Sequence, residues 1–218
     1  MNQGYWERGY RNVDNLWGFT PNNLLSTYID LVPKSGKVFD VGIGEGRNAL
    51  YFAKQGYKVE GIDISETAIN RCLLLSKEHN VNINAKVDDI RTYDIKKEEY
   101  SLIILSNVLN FFSIKEVNDI ITKLKNGLKE NGLFYINVFD NEEPSLTIAK
   151  ERCKKIADFT FYDEENKMYL HYFTQEELEN LVADYETISF VKSKFLDVTH
   201  GQPHYHSTLE ILSKKSRS

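Results

Sequence analysis

The chain has 218 residues and a formal net charge of −5, with 41% hydrophobic and 27% charged residues. These values are typical of one soluble globular domain, and the acidic balance argues against a nucleic-acid partner, which would favour a basic surface. No segment approaches the apolar length of a membrane span, and the N-terminus lacks the apolar run of a secretory signal. We therefore expect a cytoplasmic protein without a membrane or nucleic-acid partner, either a monomer or a homodimer.

After an aromatic-rich leader, apolar periodicity and stop signals divide the chain into helices and strands. The segment 100–105 is almost wholly apolar, as expected of a central parallel strand that is buried on both faces. Ser65 and Thr174 are predicted N-caps, and Glu177 completes a capping box with Thr174. The predicted helices span 23–31, 47–55, 65–79, 113–128 and 146–159, with one more from 174; the predicted strands span 37–41, 58–62, 83–87, 100–105, 133–139, 187–195 and 205–212.

The order of these elements predicts a Rossmann-like α/β fold, because strand and helix alternate five times before two final strands. The seven-stranded sheet would be mostly parallel, with an antiparallel edge strand and helices on both faces. Within a single domain we distinguish a leader with its helix (1–36), a core (37–139), an insertion (140–173) and a C-terminal helix with the strand pair (174–218). The insertion either covers the mouth of a pocket or is a structural excursion.

A glycine-rich turn follows the first predicted strand. It reads Asp40-x-Gly42-x-Gly44-x-Gly46, and the next strand ends at Asp63, 21 residues after Gly42. A dinucleotide-binding turn would place its third glycine one residue later, so NAD is disfavoured. The alternating spacing instead resembles the first motif of class I S-adenosylmethionine (SAM) methyltransferases, and the resemblance covers about 38–138. It implies a seven-stranded methyltransferase sheet with SAM as the cofactor.

The resemblance also implies roles for individual residues at the carboxyl ends of the strands. Gly42 and Gly44, which lack a Cβ, would let the backbone approach the methionine end of SAM. The carboxylate of Asp63 would accept hydrogen bonds from both ribose hydroxyls. Asp89 would accept a hydrogen bond from the adenine amino group, and Ile90 would pack on the adenine ring. Each residue alone also fits a tight turn, a helix cap or a surface position. The predicted cofactor-binding residues are Tyr10, Trp17, Asp40, Gly42, Gly44, Gly46, Arg47, Asp63, Ile64, Asp89, Ile90, Ser106 and Asn107.

A narrower resemblance rests on three segments. Residues 44–53 (GEGRNALYFA), 56–59 (GYKV) and 172–178 (YFTQEEL) are similar to the tellurite-resistance methyltransferases, with thiopurine methyltransferases as more distant relatives. This implies methyl transfer to a small molecule, preferably a chalcogen oxyanion or a thiol. That group commonly has a His-Arg pair near its C-terminus, where this chain has Thr199-His200-Gly201. The alternatives are an O- or N-methyltransferase with a histidine base, and a SAM-binding sensor without turnover.

Three elements are candidates for the acceptor side. The histidines of His200-x-x-x-His204-x-His206 are satisfied structural groups, substrate or base groups, or metal ligands; we predict all three as catalytic and predict no metal site. The aromatic leader is either a lid over SAM, where its rings would meet the sulfonium, or a hydrophobic plug. Arg47, at the start of a helix, would meet the SAM carboxylate or an anionic acceptor, unless it forms a surface ion pair.

Overall fold

The fold is described for residues 2–198 and 201–216 of a computed structural model. Two short 3-10 helices, Ile29–Leu31 and Leu109–Phe111, accompany seven α-helices and ten strands within these ranges. The helices are α1 Gln3–Asn12, α2 Asn23–Thr27, α3 Arg47–Lys54, α4 Glu66–Glu78, α5 Ile114–Gly127, α6 Ser145–Arg152 and α7 Gln175–Leu181. The strands are β1 Lys37–Val41, β2 Lys58–Asp63, β3 Ile83–Val87, β4 Tyr100–Ser106, β5 Leu128–Phe139, β6 Lys154–Ala157, β7 Thr160–Asp163, β8 Met168–His171, β9 Glu186–Asp197 and β10 His204–Lys214.

The main sheet has seven strands in the order β3-β2-β1-β4-β5-β10-β9. The pairs among β1 to β5 are parallel, whereas β10 runs antiparallel to both β5 and β9. This confirms the predicted Rossmann-like sheet, and it adds that β10 lies inside the sheet with β9 at the edge. The strand order reverses between β1 and β4, which is where such sheets bind ligands.

Helices cover both faces of the sheet because the central strands are apolar on both sides. In β4, Ile103 and Leu105 belong to a core cluster that includes α5, while Leu102 and Ile104 belong to a second cluster that includes α3 and α4. All four side chains have zero exposure. The nearly unbroken apolar run of β4 therefore reflects a strand buried on two sides. None of the described helices is long and apolar enough to cross a membrane.

The insertion differs from its predicted structure. The helix expected over 146–159 ends at Arg152, and the following residues form a three-stranded antiparallel sheet, β6-β7-β8. The side chains of β6 are all exposed, so this strand carries no apolar alternation that sequence could reveal. Asn110 anchors the small sheet to the core, since its amide donates to the carbonyls of Phe139 (3.1 Å) and His171 (2.7 Å).

Candidate active site

A pocket opens at the carboxyl ends of β1, β2 and β4, at the point where the strand order reverses. Its empty volume, which includes open solvent at the mouth, is about 880 Å³. All thirteen residues predicted to bind the cofactor line this pocket, so the structure brings them together, and their role in binding stays a prediction. None of the lining residues comes from 140–173, so the insertion as a cover also stays a prediction.

The glycine loop is packed tightly between β1 and α3. Gly44 has a φ of 54°, and a Cβ there would lie 2.6 Å from the hydroxyl of Tyr10. Gly46 has a φ of 89° and caps α3, and its Cβ would lie 2.6 Å from the Sγ of Cys72. These backbone conformations and contacts exclude a side chain at either position. Burial raises the pKa of Cys72 to about 12, so this thiol is a packing group.

Two buried carboxyl groups face the glycine loop. Asp63 accepts hydrogen bonds from the backbone N–H groups of Gly44 (3.0 Å) and Ser65 (2.9 Å). Burial raises the pKa of Asp63 to about 6, although these bonds act in the opposite direction. Burial likewise raises the pKa of Asp40 to about 7, against the attraction of Arg47. A ligand cation in the pocket would favour the ionised forms of both groups.

Arg47 and Ser106 join two sides of the pocket. The guanidinium of Arg47, the first residue of α3, donates to the Ser106 hydroxyl at the end of β4 (3.0 Å). The same hydroxyl donates to the side-chain carbonyl of Asn22 (3.1 Å), which also accepts from the Asn48 amide (3.0 Å). Arg47 therefore lies within the pocket wall, positioned by a polar network, rather than in a surface ion pair.

The aromatic leader forms one wall of the pocket. Its helix, α1, is attached to the start of α4 through Glu7, which accepts from the hydroxyls of Ser65 (2.7 Å) and Thr67 (2.6 Å). Hydrogen bonds from Thr67 and Ser65 lower the pKa of Glu7 to about 2. Arg71 donates to the carbonyls of Tyr10 and Val13, which holds the end of α1 against α4. The leader residues that line the pocket are Trp6, Tyr10, Trp17 and Gly18.

Glu45 closes the connection between the leader and the glycine loop. Its carboxylate accepts from the backbone N–H groups of Asn15 (3.0 Å) and Leu16 (2.7 Å), and it pairs with Arg71 (3.1 Å). Sequence reasoning missed Glu45 because the resemblance to a methyltransferase motif assigned no role to it. Its backbone partners lie about thirty residues earlier and Arg71 lies 26 residues later, and no local pattern indicates such contacts.

Several other pocket residues were also missed or given a different role. Phe111 and Phe112 are buried side chains that also line the pocket. Trp6 packs edge-on against Phe111, with ring centroids 4.7 Å apart. The further lining residues that sequence reasoning did not select are Val41, Ile43, Asn48, Ile62 and Asp88.

Two buried polar atoms in the pocket wall test whether a polar cofactor fits there. Trp6 Nε1 and Asn107 Oδ1 have no hydrogen-bond partner among the described residues. Burying such atoms without a partner is unfavourable, so a bound molecule with a matching acceptor and donor would offset that cost. Together with the ionisable Asp40 and Asp63, they suit a ligand that carries cationic, hydroxyl and amino groups, as SAM does.

Asp89 lies at the pocket but is already engaged. Its carboxylate accepts several bonds from the Arg91 guanidinium, the shortest at 2.6 Å. Burial raises the pKa of Asp89, but the hydrogen bonds from Arg91 outweigh this and hold the pKa below its ordinary value. Asp89 can still accept a further hydrogen bond, since a carboxylate has about four acceptor sites. The neighbouring Asp88 lines the same part of the pocket.

The predicted catalytic histidines lie apart from this pocket. His204 and His206 stand at the start of β10, and neither is among the lining residues; His200 lies outside the described residues. His206 stacks on Phe139 at the carboxyl end of β5, with centroids 5.1 Å apart. Both histidines are therefore at the same edge of the sheet as the pocket, on the β5–β10 side. Sequence reasoning missed Glu143, which contacts His206 from the start of the insertion.

Comparison with known proteins identifies a family. The family profile described as "Tellurite resistance protein TehB" matches residues 22–195. A curated relative from Haemophilus influenzae, "Probable S-adenosyl-L-methionine-dependent methyltransferase TehB", is 30% identical over 133 residues, which cover 61% of this chain and 44% of the relative. The matched region thus spans less than half the length of that relative.

Solved structures share the fold. A SAM-dependent methyltransferase from Methanosarcina mazei has a TM-score of 0.73 at 20% identity, over 91% of this chain and 100% of that chain. A second structure is the 1,6-didemethyltoxoflavin-N1-methyltransferase of Burkholderia thailandensis with bound 1,6-didemethyltoxoflavin and S-adenosylhomocysteine. It has a TM-score of 0.72 at 16% identity, over 99% of this chain and 87% of that chain. At these identities the likeness shows the fold alone.

Proposed function

The chain belongs to the TehB family of tellurite-resistance proteins, within the class I SAM-dependent methyltransferases, and on that premise we propose that it transfers the methyl group of SAM to a small molecule. The observation that carries this proposal is the pocket at the strand-order reversal, where a glycine loop meets Asp40 and Asp63. Bound SAM supplies an electrophilic methyl group on a sulfonium. The remaining work of the chain is to bind, orient and shield the reactants.

The residues of the pocket divide this work. Asp63 would accept hydrogen bonds from the ribose hydroxyls, and Asp40 would lie near the ammonium group of SAM. The aromatic rings of Trp6, Tyr10 and Trp17 would attract the sulfonium and exclude water. The chemistry that SAM would supply is transfer of this methyl group to the acceptor, with the electron pair of the carbon–sulfur bond left on sulfur and S-adenosylhomocysteine as the co-product. Holding the two reactants in line provides much of the rate.

The preferred acceptor has a soft nucleophilic atom, either a chalcogen oxyanion or a thiol. The family of the chain supports this choice, and the small molecule bound in the Burkholderia thailandensis neighbour supports a small acceptor. Such nucleophiles need little help from a general base. We place the acceptor toward β5 and β10, where His204 and His206 would contact it.

One observation favours a second candidate, an O- or N-methyltransferase with a histidine base. The Nδ1 of His206 lies 3.0 Å from the carboxylate of Glu143, and a carboxylate partner orients an imidazole for proton transfer. Hydroxyl and amine acceptors would need that base, whereas a thiolate or an oxyanion would not.

The test is the release of S-adenosylhomocysteine from purified protein and SAM. The acceptor panel contains tellurite, selenite, small thiols, a phenol and an amine, with a reaction lacking any acceptor as the control. Product that depends on tellurite, selenite or a thiol supports the proposal. Product from only the phenol or the amine supports the histidine-base candidate. SAM binding without product from the whole panel would contradict both and favour a sensor.

A further inference from the structure

A second cluster of ligating side chains lies at the junction of β9 and β10. Asp197, His204 and His206 each offer one atom, and these atoms lie within 4.8 Å of one another. The Nε2 atoms of the two histidines are 3.1 Å apart, and Asp197 Oδ2 is 3.7 Å from His206 Nε2. Asp197 pairs with His204 across the two strands, so the β-sheet register itself brings the three residues together.

The hydrogen bonds made by the Nδ1 atoms of the two histidines indicate which ring nitrogen carries the hydrogen. His204 Nδ1 is 2.8 Å from the carbonyl oxygen of Gln202, and His206 Nδ1 is 3.0 Å from a carboxylate oxygen of Glu143. Because both partners only accept, each Nδ1 must carry the hydrogen. The two Nε2 atoms, which lie 3.1 Å apart, are then the ring nitrogens available as metal ligands.

We propose that Asp197, His204 and His206 bind a divalent transition-metal ion such as Zn²⁺. Imidazole nitrogen and carboxylate oxygen are common zinc ligands, and bonds of about 2.0–2.1 Å in a tetrahedron separate neighbouring ligand atoms by about 3.3 Å. The observed separations of 3.1 and 3.7 Å bracket that value. The third separation, between His204 and Asp197, is at most 4.8 Å, so side-chain rotations would bring the three atoms into coordination.

The surroundings match those of metal-bound histidines. Such a histidine donates its second ring N–H to a carboxylate or a backbone carbonyl, and here Glu143 and Gln202 supply one of each. Glu143 is itself buried and held, because its other oxygen accepts from the backbone N–H of Ser207 (2.7 Å). The buried carboxylate thus has a defined task, which is to orient His206.

Three protein ligands leave at least one coordination position for an exogenous group. Water, a thiolate or an oxyanion would occupy it, and a metal-bound thiol loses its proton. If the proposed function is right, and only then, the metal would hold the soft acceptor at the β5–β10 side of the pocket. The metal site itself does not depend on that function, so its test uses no turnover.

The test is direct metal binding by the full-length protein after dialysis against a chelator. Isothermal titration with Zn²⁺ should show one site, and Co²⁺ should produce the intense visible absorption of a tetrahedral site. His204→Gln and Asp197→Asn should each abolish the Co²⁺ spectrum and weaken Zn²⁺ binding. Glu143→Gln should weaken it by about 10- to 100-fold, as expected for loss of the group that orients a ligand.

His79→Gln is the matched control, because His79 is an exposed histidine at the end of α4. It should change nothing. Circular dichroism and thermal unfolding of each variant separate a lost ligand from a lost fold. Absence of Zn²⁺ binding in the wild type, or equal binding by the His204→Gln and His79→Gln variants, would overturn the proposal. Neither result would bear on SAM binding, which is measured separately.

Discussion

The hydroxyl of Tyr10 lies over Gly44, 2.6 Å from the point where a Cβ on that glycine would be. Helix α1 and the glycine loop are therefore packed as two parts of one wall. Tyr10 is only 4% exposed, and burial raises the pKa of its hydroxyl well above the ordinary value. The residue at position 44 thus determines both the shape of the loop and the closeness of the leader.

Gly44→Ala should impair SAM binding through two effects. The alanine must adopt a φ of 54°, which costs roughly 1 kcal/mol, and its Cβ must displace Tyr10. We expect SAM affinity to fall at least about tenfold, the equivalent of 1.4 kcal/mol. Isothermal titration with SAM measures the change.

Two variants separate these effects. Gly56→Ala adopts a similar left-handed φ of 81° with nothing within 4 Å of its Cβ, so it should cost stability without changing SAM affinity. Tyr10→Phe removes the oxygen that collides with the new methyl group, so it should partly restore SAM binding to Gly44→Ala. Additive losses in the double variant would contradict the contact.

Glu7→Gln should loosen the leader. Charge-assisted hydrogen bonds to Ser65 and Thr67 become neutral ones, and we expect a loss of about 1–2 kcal/mol in the docking of α1. If this helix must be docked to bind SAM, the dissociation constant should rise about 5- to 30-fold. Tryptophan fluorescence should also report increased exposure of Trp6. Glu66→Gln, an exposed change of the same charge at the same helix end, should leave both readouts unchanged.

Asp63→Asn should weaken SAM binding without unfolding the chain. An amide replaces a charged acceptor for the ribose hydroxyls, and a loss of about 1.5–3 kcal/mol corresponds to about 10- to 150-fold in affinity. Because Asp63 also accepts from Gly44 and Ser65, thermal unfolding must be measured alongside titration. Asp119→Asn, on the exposed face of α5, is the control. Unchanged SAM affinity in Asp63→Asn would remove this residue from the site.

The affinity for SAM should fall as pH drops below about 7. Burial raises the pKa values of Asp40 and Asp63 to about 7 and about 6, whereas the same groups in the unfolded chain have pKa values near 4. Between about pH 4 and pH 7, the folded ligand-free protein therefore binds protons that the unfolded chain has released. Stability of the ligand-free protein should accordingly decrease as pH rises from about 4 to about 7. SAM is cationic and favours the ionised carboxylates, so its binding should release these protons. For each proton released, the affinity for SAM should fall by up to about tenfold per unit decrease in pH.

Titration with SAM in two buffers of different ionisation enthalpy counts the protons released at pH 6. The Asp40→Asn variant should release fewer protons when SAM binds, and its SAM affinity should depend less on pH near pH 7. An affinity that is constant between pH 5.5 and 8 would mean that neither carboxylate changes its protonation when SAM binds.

The central fold followed from the sequence because its signals are local. The apolar run of β4, the glycine loop and the two capping boxes each lie within a few residues, and the structure has both boxes, at Ser113 and Thr174. The box at Thr174 was predicted as such. The pocket could be outlined for the same reason, since strand ends converge in this kind of sheet.

The parts that could not be predicted depend on contacts between distant residues. Glu45 meets the backbone of Asn15, and Glu143 meets His206 across 63 positions. The small sheet was missed because its first strand is wholly exposed and has no apolar period. Helix α1 was not predicted as a helix within the aromatic leader. Its apolar side is buried by α4, which lies more than fifty residues later in the chain.

The burial of Cys72 beneath the glycine loop has a practical consequence. The chain has two cysteines, and the other, Cys153, is partly exposed in the insertion just after α6. A maleimide dye should therefore react at a single place in the unmodified protein. Energy transfer between that dye and the tryptophans of the leader would then report, molecule by molecule, whether the insertion approaches the pocket when SAM enters.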